Sequence, residues 1–144
     1  MNGFGITSTA IDLQNFRQQL LDTSCGACVQ FEGWVRDHNE GQRVLQLEYE
    51  VYEPLAVKEG NRIIREAVEK YGISNACAIH RSGLMELSEA AVVVGVSSPH
   101  RGEAFDACRY IIDQAKVRLP IWKKEYYEGG RAEWVNCQRC AHPA

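Results

Sequence analysis

The sequence has no apolar run that approaches the roughly 20 residues needed for a membrane-spanning helix. Its first five residues also lack the charged start and the apolar centre of a secretion signal. We therefore expect a cytoplasmic protein with no membrane segment, in which the six cysteines are reduced.

An excess of positive charge is also missing, because 16 Lys and Arg residues stand against 19 Asp and Glu residues and the net charge is -3 at pH 7. Proteins that bind nucleic acid generally carry a basic surface, so we expect no nucleic-acid partner. Basic side chains should therefore matter where they cluster locally.

Internal repeats, linkers and low-complexity segments are absent from the 144 residues. This length is typical of one domain with a substantial hydrophobic core. We predict a single domain over residues 1–144, in which the C-terminal tail from about residue 137 is either flexible or metal-binding.

Apolar spacing outlines the secondary structure. Asp12 is suited to cap a first helix whose apolar stripe is Leu13, Phe16 and Leu20 and which ends near residues 24–26. Pro54 opens a second helix that Gly72 stops. Apolar patterns predict one hairpin of 27–36 with 44–52 and another of 121–127 with 132–135. They also predict two further strands, at 76–81 and 90–96. This order predicts an α+β fold, with helices packed on one side of a mixed sheet and with β-hairpins.

The richest chemistry lies where the apolar strand 90–96 is followed by a helix. The strand is continuous and rich in Val, which is typical of burial on both faces. Ser97 or Ser98 is predicted to cap the helix, with Pro99 in its first position. Lys116 falls at the edge of the apolar stripe, where partial desolvation favours the uncharged amine. On an isolated helix, Lys116 would more simply be a cation favoured by the C-terminal dipole.

His100 and Arg101 stand at the start of this helix, and Pro120 ends it before a basic strand. Cations at a helix N-terminus oppose the helix dipole. A bound phosphate or carboxylate therefore explains these two residues better than an ordinary solvated turn does. The helix start and the basic strand after Pro120 together predict a pocket for an anion.

Five segments coincide in order with one protein family. They are Phe31-Glu-Gly-Trp-Val-Arg-Asp-His-Asn39, Leu47-Glu-Tyr-Glu50, Ile79-His-Arg-Ser-Gly83, Ser98-Pro-His-Arg-Gly-Glu-Ala-Phe105 and Lys116-Val-Arg-Leu-Pro-Ile-Trp-Lys-Lys-Glu125. In this combination the chain resembles the large, catalytic subunit of molybdopterin synthase, from about Gly26 to Val135. Each segment alone is weak evidence, whereas five in the right order are specific.

The resemblance implies an α/β-hammerhead fold and a homodimer that carries a small ubiquitin-like sulfur-carrier subunit at each end, which makes a heterotetramer. In that family, the carrier's C-terminal Gly-Gly thiocarboxylate enters a pocket of the large subunit and delivers sulfur to cyclic pyranopterin monophosphate. Two transfers make the dithiolene of molybdopterin, and no cofactor is expected. This chain ends at Ala144 without a Gly-Gly pair, so we expect it to accept the carrier.

The resemblance also assigns roles to individual residues. It makes Lys116 the central catalytic lysine and Lys123 the second one, and Phe31 and Ile112 correspond to apolar pocket walls. Positive side chains suit both the phosphate and the thiocarboxylate. The predicted substrate-binding residues are Trp34, Val35, Arg36, His100, Arg101, Lys123, Lys124 and Glu125.

Two Cys-x-x-Cys pairs, Cys25 with Cys28 and Cys137 with Cys140, depart from the family pattern. They permit a zinc site if the fold or a dimer brings them together. Unpaired thiols or a redox-sensitive pair are the favoured interpretation, and we assign no metal to the site. The alternative function is a non-catalytic, zinc-dependent adaptor that binds a ubiquitin-like partner.

Five further residues receive structural interpretations. Cys77 and Cys108 lie in apolar patterns and are predicted core thiols. Trp122 and Trp134 are predicted core anchors, and His80 a strand residue with its hydrogen bonds satisfied.

Overall fold

The computed structural model describes residues 2–135, which form three helices and nine strands. The helices are α1 (Leu13–Gln18), α2 (Glu53–Tyr71) and α3 (Arg101–Arg118). The strands are β1 (Gly3–Thr7), β2 (Ala27–Trp34), β3 (His38–Asn39), β4 (Gln42–Val51), β5 (Asn75–Arg81), β6 (Gly83–Met85), β7 (Ala90–Ser98), β8 (Ile121–Tyr127) and β9 (Ala132–Val135).

The first sheet has the strand order β1-β5-β7-β2 and is mixed, because β1 runs parallel to β5 whereas the other pairs are antiparallel. Its central strand β7 is buried on both faces, as predicted. Val92 and Val94 face the main core with α2 and α3, and Val93 faces α1. The two long helices thus lie on one side of the sheet, as predicted, and the short α1 lies on the other.

The first helix begins at its predicted cap but ends at Gln18, well before the predicted end near residues 24–26. The Asp12 carboxylate accepts the N–H of Asn15 at 3.0 Å, and Phe16 and Leu20 are buried against the sheet. The sheet makes room for them with Gly95, because a Cβ there would lie 2.9 Å from the Phe16 ring and closer still to Leu20. The missing side chain at Gly95 therefore allows α1 to pack closely against the sheet.

The sequence patterns do not predict β1. Two glycines in five residues weaken its apolar pattern, and its parallel partner β5 follows only after two helices, so no local signal marks the pairing. Phe4 of this strand is buried against α2, where Gly60 leaves space for its ring. The strand is thus fixed by contacts that are distant in the chain.

The second helix spans nearly the predicted range, and Gly72 ends it in the left-handed conformation at φ 65°. The predicted cap of α3 is wrong. Ser97 and Ser98 are the last residues of β7, because their backbone is still paired with β2. The helix starts after His100, whose N–H donates to the Glu103 carboxylate at 2.9 Å, and the Ser98 hydroxyl lies 3.2 Å from the same carboxylate.

The second sheet has the order β3-β4-β8-β9, with β6 also paired to β4, and all its pairs are antiparallel. The predicted hairpin of β8 and β9 is confirmed. The predicted hairpin of 27–36 with 44–52 is wrong, because β2 pairs with β7 in the first sheet whereas β4 pairs with β8 in the second. The turn between them carries the chain from one sheet to the other.

The two sheets meet at the end of α3. Leu119 packs against both of the cores that the sheets form, and Pro120 follows the helix as predicted. The last turn of α3 therefore lies at the junction of the sheets. Among residues 2–135, no helix is long and apolar enough to cross a bilayer.

Candidate functional site

A cavity of about 580 Å³ lies between the second sheet, the end of β2 and the last turns of α3. Five of the predicted site residues line it: Trp34, Arg36, Lys116, Lys123 and Glu125. Three separate elements thus bring cationic side chains to one space. Glu40, Glu125 and Glu133 also line the cavity, so its three cations are matched by three carboxylates. A concave site with locally placed cationic donors can bind the anionic groups of a ligand.

The helix end positions Lys116. Its side chain is half-buried, as predicted, and lines both the main cavity and a smaller inner chamber of about 20 Å³ behind it. The apolar face of α3 packs on the first sheet through Ala104, Ala107, Cys108 and Ile111. Because the residue lies at the edge of that face, part of its side chain is covered while the rest lines the cavity.

The two-residue period of β8 decides which of its charged residues enter the cavity. Lys123, Glu125 and Tyr127 line it. Lys124 faces the other way, where its Nζ lies 5.6 Å from the centre of the Trp134 ring. Alternation along a strand therefore separates the two neighbouring lysines.

Glu125 is 3% exposed and has several partners. Its carboxylate accepts hydrogen bonds from the Asn39 amide at 2.8 Å and from the Tyr127 hydroxyl at 2.9 Å. Lys123 Nζ lies 4.0 Å from the same carboxylate. Burial and the bond to Glu125 raise the pKa of Tyr127 to about 12, so this hydroxyl remains a donor. The buried carboxylate thus anchors the second lysine.

A register shift after Gly33 sets the directions of the three residues that follow it. Val35 is 2% exposed and lies in the core of the second sheet, and its N–H donates to the Glu89 carbonyl. Arg36 instead reaches the cavity, where its guanidinium donates to the Asn39 side chain at 3.3 Å. Trp34 lines the cavity rim and is 65% exposed.

His100 and Arg101 lie at the opposite end of α3 from Lys116. Both side chains are exposed, and neither lines the cavity. The fifteen helical steps from Arg101 to Lys116 correspond to about 22 Å at 1.5 Å per residue. Within one chain, the structure therefore does not bring the start of α3 to the lysine site.

Sequence reasoning missed several residues of the cavity, including Tyr49, Asn39 and Tyr127. Tyr49 and Asn39 lie inside segments that carried the family resemblance, which was the available signal. Of the two expected apolar walls, Ile112 lines the inner chamber, whereas Phe31 is 39% exposed on β2 and does not line the main cavity.

The predicted core role of two tryptophans is wrong. Trp122 and Trp134 are about half exposed. Both line a depression on the second sheet, and Trp134 also lines the main cavity. The interpretation of His80 is confirmed, since it is buried and its Nδ1 lies 2.7 Å from the Arg81 carbonyl oxygen.

The cysteines fall into two groups. Cys77 and Cys108 are core thiols, as predicted, and burial raises the pKa of each to about 11. Cys28 is exposed and Cys25 half-buried, and both are free thiols. The pair at 137 and 140 lies outside the described residues. Over 2–135 there is no cluster of three or more metal-ligating side chains, and the zinc site stays an untested alternative.

Comparison with known proteins identifies the family. The family described as MoaE protein matches residues 6–118. The chain belongs to the MoaE family. Its relatives include the molybdopterin synthase catalytic subunit of Bacillus subtilis, which is 42% identical over 138 residues, covering 96% of this chain and 87% of that protein. The catalytic subunit of Thermoplasma volcanium is 44% identical over 129 residues, covering 90% and 94%.

Known structures agree with the MoaE assignment. Molybdopterin synthase from Staphylococcus aureus superposes with a TM-score of 0.86 at 38% identity, covering 90% of this chain and 94% of that chain. A complex of subunits 1 and 2 of the molybdopterin-converting factor from Helicobacter pylori has a TM-score of 0.75 at 19% identity, covering 97% and 93%, and shows the shared fold. The predicted α+β fold of the hammerhead type is confirmed.

Proposed function

We propose that this chain transfers sulfur from the thiocarboxylated C-terminus of a small ubiquitin-like carrier to cyclic pyranopterin monophosphate, forming the dithiolene of molybdopterin. The observation that carries the proposal is the convergence of Arg36, Lys116 and Lys123 on one cavity in a chain of the MoaE family. Both proposed ligands are anions, and the cavity offers each of them cationic hydrogen-bond donors.

Arg36 is suited to the substrate's phosphate, because a guanidinium binds phosphate with two parallel hydrogen bonds and Asn39 already holds this one in place. Trp34 offers an exposed ring at the rim for contact with the pterin. Val35 and Lys124 turn their side chains away from the cavity, so we assign neither side chain a part in substrate binding.

In each proposed transfer, the thiocarboxylate sulfur forms a bond to a side-chain carbon of the pterin while a C–O bond at that carbon breaks, and the oxygen leaves as water or as the opened end of the cyclic phosphate. Water then cleaves the bond between the carrier's acyl carbon and the sulfur, which releases a carboxylate on the carrier and leaves a thiol on the pterin. We assign Lys116 to proton transfer during these steps and Lys123 to stabilisation of the negative charge. Direct attack of the Lys116 amine on the carrier's acyl carbon is the other possible role.

The proposal includes partners and location. A cytoplasmic homodimer would bind one carrier at each cavity. The Helicobacter pylori structure, a complex of subunits 1 and 2, supports the binding of a second kind of subunit. In this scheme, His100 and Arg101 bind the phosphate in the cavity of the other copy. They cannot do so in the cavity of their own chain, because Lys116 lies about 22 Å away along α3. The dimer would then complete each active site.

Reconstitution with thiocarboxylated carrier and cyclic pyranopterin monophosphate tests the proposal. We expect Lys116→Ala to lower dithiolene formation by about 100-fold or more, since a group that moves protons in the transition state is lost. Lys58→Ala, a change on the exposed surface of α2, is the matched control. Undiminished turnover by the Lys116 variant would contradict the assigned role, and an acyl adduct detected by intact-mass measurement would identify the nucleophilic route.

A further inference from the structure

The inner chamber lies directly behind the main cavity. Tyr49, Val92 and Lys116 line both spaces, whereas His80 lines the inner one alone. At about 20 Å³, the chamber has room for roughly one water molecule. Lys116 therefore has the substrate cavity on one side and a histidine in a confined space on the other.

The protein holds the His80 ring in one orientation. On β5 it faces the same side as Ala78, toward α3, and its ring packs edge-on to Tyr49 with centroids 4.7 Å apart and planes at 86°. Its Nδ1 lies 2.7 Å from the Arg81 carbonyl oxygen. A carbonyl only accepts, so Nδ1 carries the proton, and in a neutral ring Nε2 then keeps a lone pair.

Burial and the nearby Lys116 ammonium lower the pKa of His80 to about 4, so the ring is neutral at physiological pH. Among the described residues that line the chamber, Lys116 supplies the charge that faces the ring. The others are Tyr49 from β4, Val92 from β7, Ile112 and Ala115 from α3, Ile121 from β8, and Leu119. The ring therefore acts as a hydrogen-bond acceptor through Nε2, and its protonation state does not change between pH 6 and 9.

We propose that His80 is a positioning residue for Lys116: its neutral imidazole, fixed by Tyr49 and the Arg81 carbonyl, presents the Nε2 lone pair to the lysine amine and sets where that amine lies. The catalytic consequence rests on the proposed function, but the contact itself does not. When the flexible lysine side chain is held in one position, a larger fraction of the bound complexes has the reactive geometry. The rate of the chemical step therefore rises.

Differential amine labelling tests the contact in the protein without substrates. Wild type and His80→Asn are treated with acetic anhydride across a pH series, and acetylation of Lys116 is measured by peptide mass spectrometry, with Lys58 as internal standard. Asn retains a donor to the Arg81 carbonyl but has no atom at the position of Nε2. An acceptor favours the charged amine, so we expect the pH of half-reaction for Lys116 to fall by about half a unit in the variant.

His38→Asn is the matched control, because this histidine is exposed and bonded to Asp37. The proposal is overturned if the plots of Lys116 acetylation against pH coincide for wild type and His80→Asn. It is also overturned if the pH of half-reaction shifts equally in the control. His80→Gln, which restores an acceptor near Nε2, should return the curve toward that of wild type.

Imidazole nitrogen NMR of the wild-type protein gives a second measurement that needs no variant. The sequence holds four histidines, and we expect one of them to show the Nδ1–H tautomer without change from pH 6 to 9. An Nε2–H tautomer for His80 overturns the proposal even where the variants fail to fold. If sulfur transfer is present, His80→Asn should lower kcat about 10-fold with KM unchanged; if wild type transfers no sulfur, the proposed function fails and the labelling still decides the role of His80.

Discussion

Two inactive variants of this chain should restore activity to each other when they form mixed dimers. One variant is Lys116→Ala, which removes the proposed catalytic lysine at the end of α3. The other is Arg101→Ala, which removes a proposed phosphate-binding side chain at its start. Because about 22 Å of helix separates these positions, each proposed active site takes its arginine from one chain and its lysine from the other.

The expected recovery follows from counting sites. In a mixed dimer, one site receives both defects and the other receives neither, so one of the two sites is intact. Random exchange of equal amounts makes half of the dimers mixed, and total activity should return to about a quarter of the wild-type value. Each variant alone should stay near its own low level.

The assay is dithiolene formation after the two variants are unfolded together and refolded, with saturating carrier and substrate. The matched control is a mixture of Lys116→Ala and Lys123→Ala, whose positions line the cavity of the same chain. In that mixture each site lacks one lysine, so no recovery is expected. Recovery in the control, or none in the test mixture despite mixed dimers seen by native mass spectrometry, would refute the shared site.

Three further predictions concern the anchors of the site and the packing of the sheet. Glu125→Gln removes the buried charge beside the second lysine, and we expect sulfur transfer to slow about 10-fold in steady-state kinetics with little change in melting temperature; an unchanged rate would contradict its anchoring role. Arg118→Met breaks partly exposed hydrogen-bonded ion pairs with Glu59 and Glu66 and should lower the free energy of unfolding at pH 7 by about 1–2 kcal/mol in urea titrations. Hydrogen bonds from Arg118 and Tyr110 lower the pKa of Glu66 from 4.5 to about 2, so this stability is present above pH 4.5 and is lost as the pH falls toward 2; a wild-type advantage that persists undiminished at pH 2 would disprove the linkage. Gly95→Ala should cost about 1–3 kcal/mol because its Cβ would meet α1, whereas Gly102→Ala meets open space, and an equal loss in both would exclude close packing as the cause.

Sequence patterns predicted the elements whose signals are local. The cap at Asp12, the stop at Gly72 and the break at Pro120 all depend on a few neighbouring residues, and all three are confirmed. The predicted capping serines failed because pairing with β2 extends the strand through Ser98. A sheet contact thus outweighed a favourable local cap, and β1 was missed because its pairing is distant in the chain.

The candidate site divides in the same way. Lys116 was predicted from its place at the edge of an apolar helical stripe, whereas Lys123 was assigned through the resemblance of the segment Lys116–Glu125 to the family. The hydrogen bond from Asn39 to Glu125 joins residues 86 positions apart, and no pattern in the sequence predicts it. The separation of His100 from Lys116 follows from helix length alone, but it becomes visible only when the helix boundaries are known.

Helix α3 carries proposed functional groups at both ends, and this has a consequence for gene dosage. A chain with both Arg101 and Lys116 replaced would inactivate both sites of any dimer it enters. Equal expression of that chain with wild type would leave about a quarter of full activity, where independent sites would leave about half. The length of one helix would thus make such an allele dominant-negative.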